Sequence, residues 1–147
     1  MNDSNTYSWY QKLKKPWWSP PAWLFGPVWT ILYIIITVSF GTVFYKVIVG
    51  DLLWIVAAPF ALNLIFNFAF TPIQFGLKNN LLATLNILLV LVTLVWALIT
   101  ISIASLELVL STGGSDLLWI TIVNIPYLIW VTFATVLQIT ITLMNRK

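Results

Sequence analysis

KPWWSPPAWLFGPVW, residues 15–29, stands directly before a long apolar run and contains four tryptophans and four prolines. Prolines fix the backbone and lack an N–H, so they suit an extended segment followed by the first turn of a helix. Tryptophan is enriched where a membrane helix meets the lipid headgroups. The segment therefore predicts the entry of the chain into a bilayer, with Ser19 as a helix N-cap and Pro20 and Pro21 in the first turn.

The composition of the whole chain is that of an integral membrane protein. Of its 147 residues, 61% are hydrophobic and 7% are charged, whereas soluble domains carry roughly 25% charged residues. The sequence contains neither cysteine nor histidine, which removes disulfides, thiol nucleophiles and the usual zinc and haem ligands. We therefore expect no metal and no cofactor, and a lipid bilayer rather than a nucleic acid as the surrounding partner.

Four apolar runs are long enough to cross a bilayer, which takes about 20 residues of helix. They cover residues 21–46, 52–77, 80–108 and 117–144. None has a charge well inside its span, as expected because a charge at the bilayer centre is costly. The sequence predicts an all-α bundle of four transmembrane helices forming a single membrane domain over residues 1–147, with residues 1–20 as an interfacial N-terminal arm.

The charges predict the orientation of this bundle. With four crossings, both termini and the second connection share one side of the membrane. Six of the seven basic residues fall on that side: Lys12, Lys14, Lys15, Lys78, Arg146 and Lys147. Only Lys46 lies on the other side, together with Asp51, Glu107 and Asp116. By the positive-inside rule we expect both termini in the cytoplasm, with a bacterial cytoplasmic membrane as the location.

Polar side chains recur at helical spacing inside the spans, and we expect their faces to point inward because amides and hydroxyls need partners in hydrocarbon. The first span carries Thr30, Tyr33, Thr37 and Gly41; the second carries Asn63, Asn67, Thr71 and Gln74; the third carries Asn86, Thr93 and Trp96; the last carries Asn124, Tyr127, Trp130, Ala134, Thr135 and Gln138. Two readings stay open. Such residues commonly hold membrane helices together, or they line a pocket with the deep tryptophans.

A pocket of this composition would suit one kind of ligand. No charge is buried, so ions and charged metabolites would lack partners. A lipid-soluble molecule gains little hydrophobic energy on leaving the bilayer, because lipid tails are as apolar as leucine. Selection must then come from shape, ring stacking and hydrogen bonds, which favours a rigid, planar or fused-ring molecule.

Several segments resemble one known family, in the same order along most of the chain. WYQKLKKPWWSPPAWLFGPVWTILY, residues 9–33, resembles the opening motif of the tryptophan-rich sensory protein and translocator protein (TspO/MBR) family, once called peripheral benzodiazepine receptors. NFAFTPIQFG at 67–76, PYLIWVTFATVLQ at 126–138 and, more loosely, ATLNILLV at 83–90 resemble its later helices. The resemblance implies a compact membrane bundle, often a homodimer, that binds porphyrins, sterols in some members, and isoquinoline or benzodiazepine ligands.

The resemblance and the polar faces together name the candidate ligand-binding residues. Motif position implies Trp29, Tyr33, Asn67, Tyr127, Trp130 and Ala134, and the polar faces add Asn63, Asn86 and Gln138. The loop at 9–23 would form a lid, through Trp9, Lys15, Pro16, Trp18, Pro20, Pro21 and Trp23. An interfacial anchor without a lid function is the alternative reading of that loop. In the lid reading, its lysines pair with carboxylates such as porphyrin propionates.

This sequence departs from the family pattern in places. The family normally has five spans, and only about eight residues precede the opening motif, so we expect a short member that lacks the first helix. Phe70 replaces a usual tryptophan, Asn86 a usual acidic residue and Gln138 a usual asparagine. We expect a receptor or sensor for a porphyrin or other tetrapyrrole. The alternatives are an enzyme that degrades porphyrin under light through Trp29 and Trp130, and a transporter of tetrapyrroles or lipids.

Overall fold

The computed structural model describes residues 11–113 and 117–146 as a bundle of helices. A 3-10 turn at Ala22–Leu24 leads into α1, Phe25–Ile48. The remaining elements are α2 (Trp54–Thr71), a π-helical turn (Pro72–Gly76), α3 (Asn80–Thr112), α4 (Leu118–Val123) and α5 (Ile125–Met144). Four helical stretches are long and apolar enough to span a membrane: Ala22–Ile48, Trp54–Gln74, Asn80–Thr112 and Leu118–Met144. The prediction of a four-span, all-α membrane bundle is confirmed.

The prediction for the start of the first helix was wrong. Ser19 does not cap it: the helical turn begins at Ala22, after an extended Pro21 with φ −62° and ψ 145°, and no side chain caps it. The reason is that a residue preceding proline is disfavoured in the α region. Pro20 precedes Pro21, so the chain stays extended through both prolines and turns helical only beyond them.

The third helix runs four residues past its predicted end. The Ser111 hydroxyl donates to the carbonyl of Glu107 at 2.7 Å and the Thr112 hydroxyl donates to that of Leu108 at 2.8 Å, so these polar residues satisfy carbonyls within the helix. Gly113 then ends it with φ 66°, a left-handed conformation that glycine adopts without penalty. At about 1.5 Å per residue, α3 is about 50 Å long and exceeds the hydrocarbon thickness.

The core lies between α3 and its neighbours. Helix α3 contacts α2, α4 and α5, and α1 packs on α2 and α4. Phe40 of α1 and Phe60 of α2 meet edge to face, with ring centroids 4.8 Å apart, and both are fully buried. Ile101 of α3 and Ile120 of α4 belong to the same core cluster and are also fully buried, so α1, α2, α3 and α4 share one apolar core.

The last membrane span is broken at Asn124, between α4 and α5. Pro126 has no N–H to continue the helical hydrogen bonds. The buried side chain of Asn124 donates to the Ser39 hydroxyl at 2.9 Å and to the carbonyl of Ile120 at 2.7 Å. The break is therefore held against α1 by a side-chain amide, as expected for irregular backbone at membrane depth.

Four residues predicted to face inward do not, three of them on α1 and one on α3. Thr30, Thr37 and Gly41 of α1 are exposed. The two threonine hydroxyls are satisfied within their own helix, where they donate to the carbonyls of Gly26 and Tyr33 at 2.8 and 2.7 Å. A hydroxyl bonded this way needs no partner on another helix. Trp96 of α3 is 44% exposed; its amphipathic ring faces outward like other surface tryptophans of membrane proteins.

Candidate ligand cavity

A cavity of about 350 Å³ lies between α1, α2, α3 and α5, next to the turn at residue 22. Its volume is at the lower end of the range found for ligand pockets, roughly 300–1,000 Å³. The residues that line it are Ala22, Phe25, Gly26, Trp29, Tyr33, Asn67, Phe70, Thr71, Gln74, Ile87, Val90, Trp130, Ala134, Leu137, Gln138 and Ile141. Rings and aliphatic side chains dominate, amides and a hydroxyl supply the polarity, and none of these residues is charged.

Helical periodicity brings these residues to one place. Side chains three or four positions apart share a helix face. Trp29 and Tyr33 therefore project together from α1, and Trp130 and Ala134 project together from α5. On α2, Asn67 begins a polar row that continues through Thr71 to Gln74 in the π-helical turn.

Aromatic rings form the walls. The rings of Trp29 and Tyr33 lie 5.6 Å apart between centroids at 32°. Phe25 and Trp130, which also line the cavity, meet edge to face at 5.7 Å. Trp29 also contacts the buried ring of Tyr127 at 6.5 Å. These contacts hold the rings in fixed orientations, which gives the cavity flat faces.

A chain of hydrogen bonds runs from the cavity wall into the core. The Tyr33 hydroxyl donates to the Asn67 Oδ1 at 3.2 Å, and the Asn67 Nδ2 donates to the Tyr127 hydroxyl at 2.6 Å. The Tyr127 hydroxyl donates in turn to the Asn63 Oδ1 at 2.8 Å. Asn63 closes the chain by donating to the Val90 carbonyl at 2.9 Å and to a threonine on α3. The network links α1, α2, α5 and α3 through two phenols and two amides.

The structure brings six of the nine predicted ligand-binding residues to the cavity wall: Trp29, Tyr33, Asn67, Trp130, Ala134 and Gln138. It places Asn63, Asn86 and Tyr127 elsewhere. Asn63 and Tyr127 lie behind the wall in the hydrogen-bond chain, and the Asn86 Nδ2 donates to the carbonyl of Phe66 at 2.8 Å. These two amides and one phenol form hydrogen bonds between helices, since buried polar groups are nearly always paired with whatever group lies next to them.

Sequence reasoning left several lining residues off the candidate site, and Gln74 and Phe25 matter most. Gln74 stands in the same polar row as Asn67, at spacings of four and three residues. The row was recognised, but its last member was not carried into the site. Phe25 gave no signal of its own, since nothing in the sequence says which rings of a tryptophan-rich segment face inward.

Two polar atoms in the cavity lining are buried and have no hydrogen-bond partner among the described residues: the Trp130 Nε1 and the Gln74 Oε1. One is a donor and the other an acceptor. Buried polar groups in native proteins are nearly always paired. Both atoms belong to residues that line the cavity.

The arm before α1 is tied to the end of α5. The Lys14 N–H donates to the Asn145 Oδ1 at 3.0 Å, and the Asn145 Nδ2 donates to the Lys14 carbonyl at 2.9 Å. One amide thus pairs with both backbone groups of a single arm residue. Further along the arm, the ring of Trp18 packs edge to face on Phe133 of α5 at 5.7 Å.

The predicted lid residues fall on this arm. Trp9 lies outside the described residues, as do Asp116 and Lys147. A groove of about 470 Å³ is lined by Gln11, Lys15, Pro16, Ser19, Pro20, Pro21, Ala22 and Trp23. Ala22 lines the cavity as well, so the groove adjoins the cavity on the arm side. In residues 11–113 and 117–146, no group of three acidic, histidine or cysteine side chains is arranged to hold a metal.

Replacing Asn145 with alanine should loosen the arm. The substitution removes both hydrogen bonds to Lys14, each worth about 1 kcal/mol. We expect the backbone amides around residue 14 to exchange with deuterium several-fold faster in detergent micelles, measured by mass spectrometry. Thr140→Ala, on the outer side of the same helix, is the control and should leave the exchange unchanged. Equal deuterium exchange of the arm in Asn145→Ala and in the native chain would contradict the claim that Asn145 holds the arm against α5.

Comparison with known proteins agrees with this architecture. The model of the TspO/MBR family matches residues 1–144. The tryptophan-rich protein TspO of Bacillus cereus is 35% identical over 139 residues, which cover 94% of this chain and 81% of that protein. The tryptophan-rich sensory protein of Cereibacter sphaeroides is 34% identical over 86% of this chain and 70% of its own length. The human translocator protein is 30% identical, covering 88% of this chain and 70% of that protein.

The match extends over nearly the whole chain, and its relatives come from bacteria and from human. The chain is an integral membrane protein, and it belongs to the TspO/MBR family.

Proposed function

We propose that this protein is a membrane receptor or sensor that binds a flat, apolar ligand of the porphyrin or other tetrapyrrole type in the cavity. The observation that carries the proposal is the lining itself: five aromatic side chains and two unpaired polar atoms around an uncharged space. Aromatic walls recognise a planar molecule by stacking, and a few polar groups orient it. The names of the relatives, sensory protein and translocator protein, support a receptor-like or transport role.

The route of entry follows from exposure. Gly26, Tyr33 and Thr71 line the cavity and are also exposed, and they belong to α1 and to the end of α2. The cavity would therefore open sideways between these helices, toward the bilayer. A lipid-soluble ligand could enter from the membrane without crossing water.

The arm supplies the polar end of the proposed site. The groove beside Ala22 carries Lys15 and lies at the interfacial end of the cavity. A ligand with a flat apolar body and carboxylate tails, such as a porphyrin with its propionates, would place the body among the rings and the tails beside the lysine. In this proposal the arm is a lid, and the two hydrogen bonds between Lys14 and Asn145 keep it closed.

Equilibrium binding of protoporphyrin to the protein in lipid nanodiscs tests the proposed function. Trp130→Phe keeps an apolar ring but removes the buried N–H, and we expect it to weaken binding on the order of tenfold. Trp96→Phe changes the same residue type outside the cavity and should bind as the native chain does. If both variants bind like the native protein, or if no saturable binding is found, the proposal fails.

Light-dependent porphyrin breakdown is a second candidate, favoured by the ring series that joins the cavity to the core. Trp29 contacts both Tyr33 and Tyr127, so oxidisable rings adjoin the space where the ligand would lie. Illumination of the protein with protoporphyrin in air distinguishes the two roles. Porphyrin breakdown that is faster than in empty nanodiscs, and slower in Trp29→Phe than in the native chain, would support an enzymatic role. A breakdown rate equal to that in empty nanodiscs would support binding without turnover.

We further propose a bacterial cytoplasmic membrane as the location, with both termini cytoplasmic, and a homodimer as the assembled form. Because the sequence has no cysteine, a single cysteine can be introduced at Asn79 or at Gly113 and labelled in sealed cells. The outer-face label should react at Gly113 and not at Asn79; the reverse pattern would overturn the orientation.

A further inference from the structure

Gln74 carries a carboxamide oxygen that is buried in the cavity lining without a hydrogen-bond partner among the described residues. The residue is only 1% exposed, so bulk solvent does not reach it. An unpaired amide oxygen in such a place costs about 1–3 kcal/mol. The cost is offset only when a donor arrives from inside the cavity.

The local backbone places Gln74 at the cavity wall. Gln74 lies in the π-helical turn Pro72–Gly76, where the N–H of Leu77 donates to the carbonyl of Pro72 at 2.9 Å. Turns of this kind appear frequently at functional sites. The other half of the amide is engaged, because the Gln74 Nε2 donates to the Asn80 Oδ1 at 3.4 Å across the connection to α3. With its nitrogen engaged by Asn80, the oxygen is the half of the amide that has no partner among the described residues, and the residue lines the cavity.

We propose that Gln74 is a specificity-determining residue that selects ligands bearing a hydrogen-bond donor, an N–H of the lactam or pyrrole kind, on one edge of a flat ring system. This inference rests on the proposed function of the cavity and narrows its ligand class. A ligand without a donor would bury the Gln74 oxygen unpaired, which a polar site penalises strongly. The site thus distinguishes a flat molecule with an N–H edge from one of the same shape that presents only acceptors or carbon.

Tight binding of an aromatic hydrocarbon alone is not expected from this site. A donor edge could be an N–H of an open-chain tetrapyrrole or of a fused-ring lactam, since the chemistry is shared. A closed macrocycle keeps its pyrrole N–H groups at its centre and offers none at its rim. On this proposal the cavity binds an open-edged tetrapyrrole more tightly than a closed-ring porphyrin, which still binds by stacking on the aromatic walls.

The test uses two probes of nearly the same shape: phenanthridinone, a flat tricyclic lactam with an N–H, and its N-methyl derivative. Both are titrated into the native protein in lipid nanodiscs and into Gln74→Leu and Gln74→Glu. The native chain should bind the N–H lactam on the order of tenfold more tightly than the methylated probe. Gln74→Leu should abolish this preference, and Gln74→Glu, which keeps an acceptor oxygen, should retain it.

The double-mutant cycle between the ligand N–H and Gln74 isolates the one hydrogen bond. Thr132→Val, at an exposed position of α5 outside the cavity lining, is the control and should keep the native preference. If both probes bind the native chain equally, or if Gln74→Leu keeps the preference, the assignment of Gln74 is overturned while the cavity stands. If neither probe binds the native chain nor any variant, the assignment of Gln74 fails, while the protoporphyrin titration decides the proposed function separately. Thermal unfolding of each variant confirms that the bundle is intact.

Discussion

Tyr127→Phe should lower the free energy of unfolding by about 1–3 kcal/mol. The hydroxyl accepts from the Asn67 Nδ2 at 2.6 Å and donates to the Asn63 Oδ1 at 2.8 Å. Removing it leaves two buried amide groups without these partners, at a depth where water does not replace them. Because the phenyl ring still fills the space, the loss reports the hydrogen bonds and not a cavity. Unfolding by a denaturing detergent, followed by tryptophan fluorescence, measures the change.

Tyr45→Phe is the matched control, since Tyr45 is 61% exposed and should change stability by less than about 0.5 kcal/mol. The double variant Tyr127→Phe with Asn63→Leu tests the coupling. Removing both partners should cost less than the sum of the single changes. Additive losses, or a Tyr127→Phe protein as stable as the native chain, would contradict the structural role given to the network.

Ala134→Phe should abolish protoporphyrin binding, weakening it on the order of 100-fold. Ala134 lines the cavity from α5, and a benzyl group added there projects into the space where the ligand would lie. The same change should leave the bundle folded, because the added ring has an existing void of about 350 Å³ to enter. Binding is measured in nanodiscs by the absorbance of the bound porphyrin.

Val136→Phe provides the comparison on the same helix. Val136 is 51% exposed, so a larger side chain there extends toward lipid and should not affect binding. Native affinity in Ala134→Phe, with its fold shown intact by circular dichroism, would contradict the placement of the ligand in this cavity.

The bundle was predictable from the sequence because length and apolarity decide a membrane span. Charge-free runs of about 20 residues leave few alternatives to a helix in a bilayer. The ends were less predictable. Pro21 delayed the first helix by its effect on the residue before it, and the hydroxyls of Ser111 and Thr112 carried α3 beyond its apolar run.

The cavity was predictable in part, because spacing shows which residues share a face but not which face points inward. The row of Asn67, Thr71 and Gln74 does meet the cavity. The row of Thr30 and Thr37 looks similar in sequence, yet its hydroxyls bond to their own helix and it lies on the surface. No property of the single sequence separates these two cases, since the distinction depends on the neighbouring helices.

The same limit explains the three displaced residues. Asn63, Asn86 and Tyr127 carry buried polar groups within the apolar spans, as Asn67 does. Their partners, such as the carbonyls of Val90 and Phe66, come from helices distant in the sequence. Whether an amide lines a cavity or joins two helices follows from those contacts alone.

Fluorine NMR of the protein labelled with 5-fluorotryptophan tests the central claim most directly, because it reports each of the nine indoles separately. Single Trp→Phe substitutions assign the resonances, and protoporphyrin is then added in nanodiscs. If the flat ligand lies in the cavity, the resonances of Trp29 and Trp130 shift while those of the outward-facing Trp54, Trp96 and Trp119 stay in place. Shifts confined to the outward-facing tryptophans, with Trp29 and Trp130 unmoved at saturating porphyrin, would contradict it.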